Sequence, residues 1–104
     1  MTTIGIISDN HGDWTTSIAK ALSGVDAIIH AGDIGPYQLI SKMERIAPTT
    51  VVLGNTDGDL PINQSEVATI GAKKFFVQHI VNPHELEEPL RARLDYVKPD
   101  VVVF

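Results

Sequence analysis

Continuous apolar, β-branched runs alternate along the chain with segments whose apolar residues recur every three or four positions. The first run, Thr3-Ile4-Gly5-Ile6-Ile7-Ser8, does not alternate and predicts a strand buried on both faces. A polar loop from Asp9 to Asp13 follows. Asp13 stands where a helix cap belongs, and Trp14, Ile18, Ala21 and Leu22 share one face of a helix ending at Ser23-Gly24. Val25 to His30 predicts a second strand. After the loop Ala31 to Gly35, Pro36 suits a first helical turn. Leu39, Ile40, Met43 and Ile46 form the buried stripe of a second helix, which Pro48 stops. Thr50 to Leu53 predicts a third strand, leading into the Gly-rich loop Gly54 to Gly58.

Beyond that loop the pattern changes. Glu66 to Ile70 and Lys73 to His79 flank Gly71-Ala72 and predict a hairpin with Gly at its first turn position. Adjacent Phe75 and Phe76 break the alternation, so both faces of the second arm are expected to be covered. A third helix within Glu85 to Tyr96 carries Leu86, Leu90, Leu94 and Val97 at helical spacing, and Pro89 marks either a kink or its true start. Pro99-Asp100 introduces a last strand, Val101-Val102-Val103-Phe104. Strands alternating with helices predict an α/β fold with a parallel sheet flanked by helices, to which the hairpin adds an antiparallel element. No repeat or linker divides the chain, so residues 1–104 are expected to form one domain.

Composition narrows the function classes. At 104 residues the chain has room for one core, and 43% hydrophobic with 20% charged residues is ordinary globular composition. Cys is absent, which excludes disulfides, thiolate metal sites and a Cys nucleophile. Eight basic against 13 acidic residues give a net charge of −5, and Lys73-Lys74 is the single adjacent basic pair, so no basic face for nucleic acid is evident. No apolar run approaches the ~20 residues of a membrane span. Met1-Thr2-Thr3 lacks the basic, apolar start of a secretion signal, so a cytoplasmic location is expected.

The chemistry-bearing residues stand at strand ends. Strand one runs into Asp9-Asn10-His11-Gly12, strand two into His30-Ala31-Gly32-Asp33, strand three into Gly54-Asn55-Thr56-Asp57, and the second hairpin arm into His79. In open α/β sheets ligands bind at the carboxyl edge of the strands, so these groups can converge. Carboxylate, imidazole and amide oxygen suit divalent ions, and two ions ~3.5–4 Å apart can activate water and clamp a phosphoryl group. Singly, each residue has an ordinary reading. Asp9, Asp13, Asp33, Asn55 and Asp57 are common turn or cap residues, and His11 reads as a loop residue facing solvent. Their recurrence at successive strand ends sets a shared metal site beside these ordinary readings for Asp9, His11, Asp33, Asn55 and His79, and the family order described next favours it. His30 reads as a supporting or packing residue, His84 as a solvated helix-start residue, and Asp57 as a loop-orienting one. Trp14, Phe75 and Phe76 read as packing, and Glu85, Glu87 and Glu88 as an acidic helix start.

Ile7-Ser8-Asp9-Asn10-His11-Gly12, His30-Ala31-Gly32-Asp33 and Leu53-Gly54-Asn55-Thr56-Asp57 resemble, in order and spacing, the first three motif blocks of the calcineurin-like metallophosphoesterases. The match is to the small branch similar to YfcE-type phosphodiesterases and to Vps29, and it covers the whole chain. The resemblance implies a metallophosphoesterase-like sheet sandwich flanked by helices. It implies a dinuclear centre holding two divalent ions, Mn²⁺ first, with Fe²⁺, Zn²⁺ or Mg²⁺ as alternatives. The substrate it implies is a phosphomonoester or phosphodiester, and the acidic composition favours a small molecule. By resemblance Asp9 and His11 ligate the first metal and Asp33 bridges. Asn55 ligates the second metal and lies near the phosphate as the catalytic amide, and His79 completes the second site.

This chain departs from the pattern at three points. Ile80 follows His79 where the family usually has Gly, and Thr56 stands where many members carry a proton-donating His. The family's Gly-His-x-His block follows a strand like Val101 to Phe104, and this sequence stops before it. The expectation is therefore an incomplete domain lacking its C-terminal strands, with partial metal shells and little turnover. An uncovered apolar edge is expected to drive homo-oligomerisation. The alternative is a catalytically degenerate or truncated scaffold that binds a protein partner. A phosphotransferase using Asp9 as nucleophile on the haloacid-dehalogenase plan is disfavoured, because that plan wants an Asp where His11 stands.

Overall fold

A computed structural model describes residues 2–58 and 60–104; Met1, part of the N-terminal reading above, lies outside them. Three parallel strands, β1 (Ile4–Ile7), β2 (Ala27–His30) and β3 (Thr49–Val51), form one sheet in the order β1-β2-β3. The central strand β2 has a neighbour on each side, and all four of its residues are buried. Ile7 pairs with His30 and His30 with Val51, so the three strands end level and their following loops start from one edge.

Helices α1 (Thr16–Leu22) and α2 (Gln38–Glu44) cover one face of this sheet, where Leu22, Leu39, Ile40 and Met43 pack with Ile28 and Ile34. The opposite face presents Ile29, Ala31 and Val52 to a second sheet. That sheet comprises β4 (Ser65–Ile70), β5 (Lys73–Gln78) and β6 (Val101–Val103) in the order β4-β5-β6. The β4–β5 hairpin is antiparallel and β5–β6 is parallel, a pairing that requires a crossover, supplied by α3 (Glu88–Val97). Phe75 and Val77 point from β5 into the core between the sheets. Phe76, fully buried on the other side, lies under Arg93 of α3 with the guanidinium carbon 5.5 Å from its ring centroid. Both faces of β5 are thus covered, as the adjacent phenylalanines imply, and the result is the expected sheet sandwich flanked by helices.

Several local expectations are corrected. Helix α1 is capped by Thr15, whose hydroxyl accepts the Ile18 N–H at 3.2 Å, and not by Asp13. Residues 10–13 are held instead in a turn, with the Asp13 N–H on the Asn10 carbonyl and the Asn10 amide on the Asp13 carbonyl. Ala21 is exposed, so the buried stripe of α1 is narrower than its apolar spacing implies. Strand β1 is not buried on both faces. Among the described residues it has only β2 beside it, and Ile6 is 57% exposed because the second sheet reaches Ile4 but not Ile6. Strand β3 ends at Val51, since Leu53 leaves the ladder to bond Asn63. In α3, Pro89 sits in the first turn and marks the true start rather than a kink. Glu85 and His84 therefore precede the helix, Glu87 is its N-cap, and Leu90, Leu94 and Val97 are half-buried. Among the described residues, no helix is long and apolar enough to cross a membrane.

Candidate metal centre

The loops after β1 and β2 are laced together by their backbones. The Asp9 N–H donates to Gly32 O at 3.0 Å, His11 N–H to Asp33 O at 3.0 Å, and Gly12 N–H to Ile34 O at 2.8 Å. Asp9, His11 and Asp33 all adopt left-handed φ values, 56°, 46° and 58°. Asp and His are among the residues that tolerate this region, and the lacing offsets the residual strain. Two glycines make the close approach possible. A Cβ on Gly32 (φ 108°) would lie 2.7 Å from His79 Nδ1, and one on Gly54 would overlap the backbone and carboxylate of Asp33.

Buried polar groups fix these loops from behind. The Asp57 carboxylate accepts N–H groups from Asp33 (2.9 Å), Ile34 (2.9 Å), Gly54 (2.7 Å) and, at 3.4 Å, Gly35. It thereby ties the β2 loop to the β3 loop, the orienting role read from the sequence. His30 is fully buried at the end of β2. Its Nδ1 accepts the Gly32 N–H at 3.1 Å, so its Nε2–H donates to Asn10 Oδ1 at 2.7 Å. Burial lowers the His30 pKa to about 4 against the opposing pull of Asp57 and Asp9, and the ring is neutral at pH 7. His30 thus supports the loops as a packed residue and is not itself presented to the cleft.

All five residues singled out as ligands meet in front of this frame. His79 Nε2 lies 2.9 Å from Asn55 Oδ1, 3.2 Å from Asp33 Oδ2 and 3.7 Å from Asp9 Oδ1. His11 Nε2 lies 3.8 Å from the same Asp33 Oδ2. Asp9, His11 and Asp33 each offer a ligand atom, all within 4.8 Å of one another. Asp33 therefore stands between two groups of donors. Its other oxygen, Oδ1, is occupied by the Thr56 N–H (2.9 Å) and hydroxyl (2.7 Å). Burial alone would raise the Asp33 pKa. The Thr56 hydrogen bonds and the facing His79 outweigh it, so the carboxyl stays below its ordinary value and ionised.

The donor set suits a divalent cation. His79 Nδ1 is 2.7 Å from the Ala31 carbonyl and donates to it, which turns Nε2 toward the cleft. Nε2 faces oxygens of Asn55, Asp33 and Asp9, and Asp9 and Asp33 are both carboxylates. Two carboxylates and an amide oxygen converging beside two imidazoles attract a cation, and mixed carboxylate, imidazole and amide donors match first-row divalent ions.

Two positioning residues escaped the sequence reading. Thr56 stands in the third block, but its contact with Asp33 spans 23 residues. Asn10 sits inside the first block, but its partner His30 is 20 residues away. The usable signal was their place inside the motif blocks.

Comparison with known proteins agrees with this geometry. The family model described as the calcineurin-like phosphoesterase superfamily domain matches residues 2–104. A probable metallophosphoesterase of Methanocaldococcus jannaschii is 35% identical over 81 residues, covering 73% of this chain and 42% of that protein. The fold is similar to that of Chaetomium thermophilum Vps29, with a TM-score of 0.74 and 18% identity over 98% of this chain and 57% of that one. It is also similar to Entamoeba histolytica Vps29 complexed with Zn²⁺, with a TM-score of 0.69 and 20% identity over 97% of this chain and 62% of that one. The chain thus spans 42% of the length of that curated relative and 57–62% of these solved chains.

Proposed function

The chain belongs to the calcineurin-like phosphoesterase superfamily, and from that premise we propose that it forms the metal-holding half of an enzyme that hydrolyses a phosphomonoester or phosphodiester at two divalent ions. Asp9, His11 and Asp33 would hold one ion; Asp33, Asn55 and His79 would hold the other. The observation that carries this reading is the position of Asp33 Oδ2, 3.8 Å from His11 Nε2 and 3.2 Å from His79 Nε2. When bound, such a pair of ions activates water and neutralises charge on the phosphoryl oxygens.

The residues prepare the site for that chemistry. Thr56 anchors Asp33 Oδ1, so the carboxylate cannot rotate and Oδ2 stays directed at both donor groups. The Ala31 carbonyl accepts from His79 Nδ1 and holds the ring with Nε2 turned inward. Asn55 is exposed at the mouth of the cleft, where its amide can reach an equatorial phosphoryl oxygen. The Thr56 hydroxyl proton is committed to Asp33, so Thr56 does not serve as the proton donor to the leaving group. Mn²⁺ is the metal proposed first. Three protein donors per ion leave positions for solvent, so modest affinity and low turnover are expected of this chain.

Calorimetric titration with Mn²⁺, beside hydrolysis of bis-p-nitrophenyl phosphate, tests the reading. Asp33→Asn retains the Thr56 contacts and should weaken both sites at least tenfold while leaving the circular dichroism unchanged. Unaltered Mn²⁺ binding in that variant would contradict the bridging role. A second reading, a scaffold for a protein partner, is favoured by one observation. Strand β6 pairs only with β5 among the described residues, and Val101 (38%) and Phe104 (56%) are exposed beside it.

A further inference from the structure

A cavity opens beside the half of the site formed by Asn55 and His79. It is about 100 Å³ and is lined also by Gln64, Gln78 and Ile80. Those last three residues line a second cavity of about 540 Å³, which runs on to the loop before α3. The two cavities therefore adjoin, and together they lead away from the position assigned to the phosphoryl group. The larger volume is of ordinary small-ligand size.

Its lining has a definite chemical bias. Glu85 and Glu87 contribute carboxylates, Asn82 and the two glutamines contribute amides, and Leu86 and Leu90 contribute the apolar wall. Among the described residues, neither cavity is lined by Lys or Arg. The Gln78 amide N–H is held by the Ile80 carbonyl at 3.1 Å, which turns its acceptor oxygen to other partners. A second anionic group on the substrate would meet carboxylates and acceptor oxygens with no cation to pair with. A cationic group would meet the reverse.

We propose that this path is the subsite for the alcohol portion of the substrate, and that it selects a cationic amino-alcohol over a neutral alcohol and rejects an anionic one. The proposal rests on the phosphoesterase reading of the adjoining metal centre. Here Glu85 and Glu87 determine specificity and do not touch the reacting atoms. Both precede or cap α3, and the Glu87 side chain makes no capping hydrogen bond, so their replacement removes no hydrogen bond of the helix; circular dichroism of the variant checks that the fold is kept.

The test is a set of amide NMR titrations of the ¹⁵N-labelled chain in Mg²⁺, using phosphocholine, glycerol 3-phosphate and 3-phosphoglycerate as probes. Phosphocholine should shift the side-chain amides of Asn55, Gln78 and Asn82 together and bind at least tenfold tighter than 3-phosphoglycerate, with glycerol 3-phosphate between. Glu85→Lys combined with Glu87→Lys should invert that order while leaving binding of inorganic phosphate unchanged. Equal affinities for the three esters, or shifts at Asn55 with Gln78 and Asn82 unmoved, would overturn the subsite and leave the metal-centre reading standing. No shift at Asn55 with any phosphoester would overturn both.

Discussion

Four backbone N–H groups, from Asp33, Ile34, Gly35 and Gly54, converge on the Asp57 carboxylate, which is itself 8% exposed. Removing it orphans buried donors in both ligand loops at once. Asp57→Ala is therefore expected to cost on the order of 4 kcal/mol, read as a fall in the urea midpoint. His30 makes a different prediction. Its pKa is 6.5 as a free side chain and about 4 in the fold. Above pH 6.5 the ring is neutral in both states and contributes nothing to the pH dependence. As pH falls from 6.5 to 4 the unfolded chain takes up the proton first, so stability declines, by about 3 kcal/mol in all. Asp33, with its pKa below 3.8, loses its share only under more acidic conditions. Urea titrations at pH 7, 5.5 and 4 should show the His30 decline, and His30→Leu should flatten it. At this scale the sequence put Asp9, His11, Asp33 and Asn55 at successive strand ends, and the structure brings them together. The partners that orient them, Thr56 and Asn10, were not, because nothing local marks a hydroxyl or amide that is satisfied 20 or more residues away.

The elements were legible in kind and less so in extent. Continuous apolar runs located β1, β2 and β3, and their parallel order follows from the helices between them. Their ends moved by up to two residues because loop hydrogen bonds, such as Leu53 to Asn63, compete with the ladder. The burial of β1 was misread because an apolar run does not say whether a strand is central or at an edge, and β1 is at an edge. The hairpin is a clearer case. Gly71 and Ala72 both take positive φ, 58° and 68°, the two-residue turn that matches strand twist. Gly suits both positions and Ala suits neither. Ala72→Gly should therefore stabilise the chain by about 1 kcal/mol, seen as a higher melting temperature. In α1, Thr15 accepts the Ile18 N–H, and Thr15→Ala should destabilise by about 1 kcal/mol.

At the scale of the molecule, two sheets pack face to face and each ends in a strand with one neighbour among the described residues, β1 in one and β6 in the other. Ile6 beside the first edge and Val101 and Phe104 beside the second are exposed apolar groups. Bare edges with apolar flanks associate, and a lysine on the edge is the usual remedy. The chain is expected to self-associate by light scattering at micromolar concentration, and Val101→Lys to return it toward a monomer; a monomeric parent chain would count against this. The two-sheet sandwich itself was legible only through the family resemblance, since the packing of β5 on β2 joins segments that no periodicity connects. What places the site is the level ending of β1, β2 and β3, which brings Asp9, Asp33 and Asn55 to one edge, with His79 arriving from the second sheet. The central claim is that Asp33 lies between two metal ions. Electron paramagnetic resonance of the chain with two equivalents of Mn²⁺ tests it most directly, because ions ~3.5–4 Å apart are magnetically coupled. The account predicts a coupled dimanganese spectrum that collapses in Asp33→Asn to the six lines of solvated Mn²⁺. A six-line spectrum from the unmodified chain with its Mn²⁺ fully bound, or a coupled spectrum that survives Asp33→Asn, would contradict it.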